Sequence, residues 1–162
     1  MTTSDGGEEA LKRAAAILNY KNRSSEALRL KLIEKDIPPE DAAFAVERLS
    51  ELGYLNDGEY AASVVRACQR RGYGKERIKE KLRAEKLSEE TVTEALAGVV
   101  TDADGLAAAY ASLCRDMKDP KEREKTAQKL VRRGFTWSEV SAAAKTAAER
   151  AGEENDLEIS EP

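Results

Sequence analysis

The chain has 162 residues, of which 41% are hydrophobic and 36% charged, a balance typical of soluble, strongly helical proteins. It contains no histidine, the commonest general base and metal ligand, so we predict that it is not an enzyme and holds no metal or cofactor. No apolar run is long enough to span a membrane and the acidic N-terminus lacks a signal-peptide core, which favours a cytoplasmic protein.

The net charge of −4 conceals an uneven distribution along the chain. Residues 1–9 carry three acids and no base, and residues 149–162 carry six acids and one base. Residues 10–148 are net +4, and residues 66–86 contain nine basic side chains but only three acids. We therefore expect a basic folded body between two acidic, disordered ends. The C-terminal end is either simply solvated or an internal competitor for the basic stretch.

In chain order, the first predicted helix covers about Glu8–Tyr20. A second follows in SSEALRLKLIEKD, where Leu28 and Leu32 lie four residues apart on one helical face. Pro39 suits the first position of a third helix, because proline has no amide hydrogen to leave unsatisfied there. Residues 10–53 thus form the first predicted three-helix unit.

Residues 54–100 repeat the same order of elements. A predicted helix over about Asp57–Arg71 ends at Gly72, which suits a C-terminal cap with a positive φ angle. Gly74 lies at the start of the next helix, and Ser88 is a good N-cap for the one after it. We therefore predict a second three-helix unit.

Residues 101–148 form the third predicted unit. Its first helix is expected over about Asp102–Met117, and its second begins at Pro120. Thr136 and Glu139 have the spacing of a capping box, which predicts the start of the last helix.

The three units align with one another at intervals of 50 and 48 residues. The leucines that anchor the alignment are Leu32, Leu82 and Leu130. Apolar residues follow each anchor at offsets that trace one helical face, so we predict an all-α fold of three tandem three-helix repeats, about nine helices, in an elongated, curved array. The third copy has Thr126, Ala144 and Ala147 where the others have larger side chains. We expect it to pack less firmly, with Phe135 and Trp137 compensating.

The densest basic stretch, RRGYGKERIKEKL, spans the turn between the first two helices of the second copy. It is not a P-loop, because it lacks the GxxxxGK[ST] pattern and follows a helix instead of a strand. It is either a solvated helix face or a contact surface for DNA phosphates or an acidic protein. Tyr73 either rims the core or stacks on a base or in a partner's pocket. The candidate contact residues are Arg66, Arg70, Arg71, Tyr73, Lys75, Arg77, Lys79, Lys81 and Arg83.

The second copy also carries a family pattern. The matching residues are Leu55, Asp57, Tyr60, Ala61, Arg66, Arg70, Gly72, Tyr73, Gly74, Arg77, Ile78 and Leu82. In these residues the chain resembles the regulatory protein RecX family, although Asn56 replaces the first acid of the usual acidic pair. The resemblance covers about residues 10–148 and is loosest in the third copy.

This resemblance implies a monomeric regulator that binds the RecA recombinase and the RecA–ssDNA filament. RecX proteins generally restrain filament extension and suppress the ATPase, strand-exchange and coprotease activities of RecA. The chain is therefore expected to regulate recombinational DNA repair and the SOS response, with weak direct DNA binding and no catalytic residues. Two rival functions stay open: a helical DNA-binding module that acts without RecA, and a helical-repeat adaptor for another protein.

Overall fold

The computed structural model describes residues 5–152, and this part of the chain folds into nine α-helices without a strand. The helices are α1 (Asp5–Tyr20), α2 (Ser25–Glu34), α3 (Pro39–Glu51), α4 (Asp57–Arg70), α5 (Lys75–Ala84), α6 (Glu89–Ala97), α7 (Ala103–Leu113), α8 (Pro120–Arg132) and α9 (Trp137–Arg150). None of these nine helices combines the length and the apolar character needed to cross a membrane. The predicted all-α class is confirmed.

The outer ends of the helical region lie beyond the predicted boundaries. α1 begins at Asp5, so part of the N-terminal end that we expected to be disordered is helical. Asp5 and Glu8 stabilise its first turn, because carboxylates interact favourably with the positive end of the helix dipole. α9 likewise continues to Arg150. The rest of both predicted acidic ends, residues 1–4 and 153–162, lies outside the described residues.

The first helix of the third triplet is shorter than predicted. α7 ends at Leu113, and Cys114 after it has the extended ψ angle of 112°. The Asp116 carboxylate accepts a hydrogen bond of 2.9 Å from the Lys118 amide, a local turn that competes with helix continuation. The prediction that this helix reaches Met117 is therefore wrong.

Each triplet turns between its second and third helices at the same place in the repeat. The residue at this turn has a positive φ angle, 67° at Asp36, 60° at Lys86 and 103° at Gly134. Each of these residues lies four positions after the leucine that anchors its copy. The turn register predicted from the alignment is confirmed.

The predicted caps also form. The Thr136 hydroxyl accepts from the Glu139 amide at 3.2 Å, and the Glu139 carboxylate accepts from the Thr136 amide at 2.9 Å, which completes the capping box. Ser88 accepts from the Thr91 amide at 3.2 Å at the start of α6. Pro39 lies in the first turn of α3, where its missing N–H leaves no carbonyl unsatisfied.

The helices pack into two compact units. Among the described residues, unit 1 contains residues 5–66 and 81–97, and unit 2 contains residues 67–80 and 98–152. This grouping by contacts differs from the division into sequence repeats, because α4 and α5 contribute to both units. The repeat boundaries at residues 10–53, 54–100 and 101–148 stay a prediction.

Leucines are buried in the core of unit 1, and a polar side chain caps one of its helices. Leu28 and Leu32 of α2 are fully buried in its core. The buried Ser24 hydroxyl accepts from the Ala27 amide and donates to the Glu85 carbonyl, so one side chain caps α2 and holds the end of α5.

The core of unit 2 combines alanines and larger aliphatic side chains with one fully buried aromatic ring. Tyr110 is fully buried, and its hydroxyl donates to the Arg123 carbonyl at 3.4 Å. The alanines Ala143, Ala144 and Ala147 of α9 are buried beside it, which lets helix backbones approach closely. Partly buried hydrophobic side chains pack against this cluster, including the predicted Phe135 and Trp137.

Candidate partner-binding surface

The nine predicted contact residues lie on α4, on the turn after it and on α5. Seven of them are exposed, whereas Tyr73 and Lys79 are half-buried. Unit 2 contains Arg70, Arg71, Tyr73, Lys75, Arg77 and Lys79, and unit 1 contains Arg66, Lys81 and Arg83. The structure therefore brings six of the nine residues together in unit 2.

Three of the predicted cations already have a carboxylate partner in the chain. Arg77 lies 3.4 Å from Glu80 and Lys81 lies 3.2 Å from Glu85. The Arg83 guanidinium donates two hydrogen bonds, of 2.9 and 3.0 Å, to the Glu89 carboxylate. A second molecule has to compete with these partners, which lowers the attraction that these three cations offer.

The other five predicted cations form no direct ion pair, although Glu139 offsets part of the charge of Lys75. Arg66, Arg70, Arg71, Lys75 and Lys79 make no ion pair with another described residue. Four of these five side chains belong to unit 2, around the end of α4 and the start of α5. The strongest unpaired positive charge of the predicted stretch thus lies in unit 2.

The turn between α4 and α5 is held by a close approach of two backbones. Gly72 ends α4 with a φ angle of 78°, as predicted for a C-terminal cap. The Gly74 amide donates to the Arg133 carbonyl at 2.8 Å, and the Glu76 amide donates to the Gly134 carbonyl at 3.1 Å. A Cβ atom on Gly74 would lie 2.5 Å from the Gly134 carbonyl. The close approach of the two backbones therefore requires glycine at this position, in addition to its role at the start of α5.

This approach brings a second basic pair to the same unit. Arg132 and Arg133 precede Gly134, as Arg70 and Arg71 precede Gly72. Our sequence reasoning missed Arg132 and Arg133 as candidates. The signal was present, because RRGF in the third copy repeats RRGY of the second.

The Tyr73 ring contacts the guanidinium group of Arg77, which lies on α5. The Arg77 guanidinium carbon lies 5.6 Å from the centre of the Tyr73 ring, within the range of a cation–π interaction. Arg77 therefore has two neighbours in the chain, this ring and Glu80. Tyr73 also lines a cleft, so it is positioned to meet a bound molecule from the cleft side.

The cleft of unit 2 has a volume of about 270 Å³ and mixes apolar walls with a basic edge. Lys75 and Arg133 supply the cations that line it. The apolar side chains that line it are Val99, Val100, Leu106, Ala109, Leu130 and Phe135. Val100 is 82% exposed, which is unusual for a large aliphatic side chain and extends the apolar wall to the surface. The cleft suits a ligand that carries both negative charge and apolar groups.

The Glu139 carboxylate accepts hydrogen bonds from Thr136 at the α9 cap and from Thr101, which lines the cleft. Burial alone would raise the pKa of the Glu139 carboxyl, but hydrogen bonds from Thr101 and Thr136 and the charge of Lys75 lower it below the usual value. Glu139 is therefore a carboxylate at neutral pH. It offsets part of the positive charge of Lys75.

Unit 1 has a separate polar pocket of about 470 Å³, next to α4. Arg23 and Arg66 line it together with Tyr54 and Tyr60. The buried Nε of Arg23 has no hydrogen-bond partner among the described residues, and sequence reasoning missed this arginine. Burial, together with the hydrogen bond of 2.8 Å that the Tyr60 hydroxyl donates to Glu85, raises the pKa of Tyr60 to about 12.

The described residues contain no group of three or more acidic or cysteine side chains arranged to hold a metal ion. The described surface in unit 2 offers charge, aromatic contact and shape. Interfaces with macromolecular partners commonly combine such features.

Comparison with known proteins identifies the family of this helical protein. A family model described as "RecX, second three-helix domain" matches residues 56–96. A regulatory protein RecX from Xanthomonas axonopodis pv. citri is 32% identical over 143 residues, which cover 82% of this chain and 84% of the relative. A regulatory protein RecX from Bacillus subtilis is 30% identical over 145 residues, which cover 86% of this chain and 55% of the relative.

Solved structures share the fold. The crystal structure of RecX from Lactobacillus salivarius matches with a TM-score of 0.81 at 22% identity, over 91% of this chain and 99% of that chain. A second crystal structure of a regulatory protein RecX matches with a TM-score of 0.72 at 24% identity, over 85% of this chain and 70% of that chain. From the relatives' identity and coverage, the chain belongs to the RecX family.

Proposed function

We propose that the chain binds the RecA recombinase and the RecA–ssDNA filament and inhibits the ATPase, strand-exchange and coprotease activities of RecA. The observation that carries this proposal is membership of the RecX family, supported by 32% identity that extends over 84% of a named regulatory protein RecX. By this action the chain would regulate recombinational repair and the SOS response from the cytoplasm. It would act as a monomer, without a cofactor.

The basic surface of unit 2 supports a role in meeting the filament. Arg70, Arg71 and Lys75 are exposed and make no ion pair with a described residue, so their charge is available to an incoming anion. DNA phosphates and acidic residues of RecA are both anionic parts of a filament. Binding would shift RecA toward an inactive arrangement only by the difference in affinity between its active and inactive states.

Steady-state ATP hydrolysis by RecA on single-stranded DNA tests the proposal. We expect inhibition when the chain is present far below one molecule per RecA protomer, as capping of filament ends would produce. Inhibition only near equimolar amounts would favour binding along the filament groove. An unchanged hydrolysis rate at equimolar protein would contradict the proposal.

The rival function, a DNA-binding module that acts without RecA, makes a different prediction. Such a module would bind free single-stranded DNA with a steep salt dependence, because each neutralised phosphate releases counterions. It would inhibit RecA only by covering the DNA. Raising the DNA concentration at constant RecA would then relieve inhibition by the rival, but it would not relieve inhibition by a protein bound to RecA.

A further inference from the structure

The cleft of unit 2 has an occupant within the chain itself. We propose that the acidic C-terminal segment, residues 153–162, binds in this cleft and covers part of the basic surface. The inference concerns an internal contact, so it goes beyond the proposed function and does not depend on RecA. Four observations support it: where the described chain ends, the length that follows, the charges and the spacing of the apolar residues.

The described chain ends beside the cleft. Arg150, the last residue of α9, hydrogen-bonds to Asp104 in the first turn of α7. Asp102 and Gly105, on either side of Asp104 in the sequence, both line the cleft. The segment therefore starts at the α7 end of the cleft. Gly152, with a φ angle of 74°, turns the chain away from the axis of α9.

The segment is long enough to cross the cleft. Ten residues follow Gly152 in the sequence. An extended chain of this length spans roughly 33 Å. A cleft of about 270 Å³ has room for only a few side chains, so only part of the segment needs to be seated in it.

The charges of the segment and of unit 2 are complementary. Residues 153–162 contain five acidic side chains and no basic one. The described residues of unit 2 contain fifteen basic and ten acidic side chains, whereas those of unit 1 contain twelve basic and sixteen acidic ones. The excess positive charge of unit 2 thus equals the negative charge of the segment. Lys75 and Arg133 place two of these cations on the cleft itself, and Asp102 is the one acidic residue in its described lining.

The apolar residues of the segment match the walls of the cleft. Leu157 and Ile159 are separated by one residue, so in an extended chain both side chains point to the same side. The acids Asp156 and Glu158 then point to the other side, toward solvent and the basic edge. Val100, which is 82% exposed in the described structure, is the most accessible apolar contact for the pair.

An occupied cleft would compete with a partner at the same residues. Tyr73 and Lys75 line the cleft and are also part of the proposed partner-binding surface. A segment attached to the same unit acts at an effective concentration of about a millimolar. Weak binding of the segment is therefore enough to restrain a dilute partner, which has to displace it first.

Nuclear magnetic resonance of the full chain, without RecA or DNA, tests this contact. We would compare amide spectra of the wild-type chain and of the variant with Leu157→Ala and Ile159→Ala. Both changes lie outside the described fold, so folding is not at risk. We expect the amide signals of Gly74, Val100 and Gly105 to shift, and the signals of α1–α3 to stay in place. Ser160→Ala, which removes a hydroxyl group and no apolar carbon from the same segment, is the control.

Three results would overturn the proposal. Unchanged signals at the cleft in the Leu157→Ala, Ile159→Ala variant would show that the segment does not lie there. Shifts that vanish on dilution, with a doubled mass at high concentration, would mean that the occupant belongs to a second copy. Equal shifts with Ser160→Ala would mean that the apolar pair is not what binds. If the chain failed to inhibit RecA, the proposed function would be contradicted. That result would not contradict this contact, which is measured without RecA.

Discussion

Unit 1 and unit 2 are both helical, but they carry opposite charge. Unit 1 has twelve basic and sixteen acidic side chains among its described residues, and unit 2 has fifteen basic and ten acidic ones. Unit 1 alone has the overall net charge of −4, because the excess of five bases among the described residues of unit 2 is offset by the five acids of residues 153–162. An anionic partner is attracted to unit 2 and repelled by unit 1, and at physiological salt this preference acts over about 8 Å. The comparison leads us to propose that recognition of the partner lies in unit 2.

The two cores differ as well. Alanines make up a similar share of both cores, four of nine residues in unit 1 and five of ten in unit 2. The core of unit 2 also contains the fully buried aromatic ring of Tyr110, whereas the larger side chains in the core of unit 1, such as Leu28 and Leu32, are all aliphatic. A close-packed core depends on the large side chains that fill its centre. Each prediction below changes one of these features.

The largest effect is expected from Tyr110→Ala, which removes the central ring of unit 2. Loss of a fully buried aromatic side chain costs about 3–5 kcal/mol of unfolding free energy, because the cavity collapses only partly. Leu28→Ala in unit 1 is the matched change, with an expected cost of about 2–5 kcal/mol. Urea denaturation of both variants checks the values. A cost below about 1 kcal/mol for Tyr110→Ala would mean that small residues alone stabilise unit 2.

Gly74→Ala should also destabilise unit 2, because the new methyl group would meet the Gly134 carbonyl at 2.5 Å. We expect a cost of about 1–3 kcal/mol, typical of an added group in a packed site. Gly98→Ala is the control, since no atom lies within 4 Å of the Cβ position at Gly98. Thermal unfolding of both variants measures the difference. Equal stability of the two variants would rule out the tight approach of the two turns.

Ser24→Ala tests the polar link of unit 1. The change removes the N-cap of α2 and leaves the Glu85 carbonyl without this donor, which should cost about 1–2 kcal/mol. Ser88→Ala removes an exposed cap and should cost about 0.5–1 kcal/mol. Chemical denaturation of the two single variants provides the comparison. If Ser88→Ala costs more, the Ser24 link to Glu85 adds no stability.

The smallest effect concerns pH. The pKa of Glu139 is lowered in the folded protein, so its contribution to stability is present above the unfolded pKa of about 4.5 and is lost as the pH falls through the lower folded pKa. Glu139→Gln should therefore cost less than about 1 kcal/mol at pH 7, and this cost should shrink as the pH falls toward 3. Melting temperatures measured from pH 3 to pH 7 check this. A difference that is independent of pH would exclude an electrostatic role.

Local sequence patterns predicted most of the fold. The anchors Leu32, Leu82 and Leu130, the capping box at Thr136 and the left-handed Gly72 follow from side-chain spacing and turn chemistry within a few residues. These features depend on neighbours in the sequence, so they can be read from it. The position of Asp36, Lys86 and Gly134 at equivalent turns confirms the repeat register.

Contacts between distant residues were not predictable in the same way. The approach of Gly74 to Gly134 joins turns 60 residues apart, and no local pattern specifies the distance between two backbones. The pairing of Arg83 with Glu89 was missed for a different reason, because helical spacing considers neighbours three or four positions away and this pair is six apart. The candidate surface was therefore found in outline, but its unpaired cations were not distinguished from its paired ones.

The most direct test of recognition by unit 2 compares two triple charge reversals of equal size. One variant changes Arg70, Arg71 and Lys75 of unit 2 to Glu, and the other changes Arg66, Lys81 and Arg83 of unit 1 to Glu. Binding to the RecA–ssDNA filament is measured for both over a range of salt concentrations. We predict that the unit 2 variant binds at least about tenfold more weakly, a loss of about 1.4 kcal/mol, with a shallower salt dependence, and that the unit 1 variant changes much less. Equal weakening of both variants, or none in the unit 2 variant, would contradict this assignment.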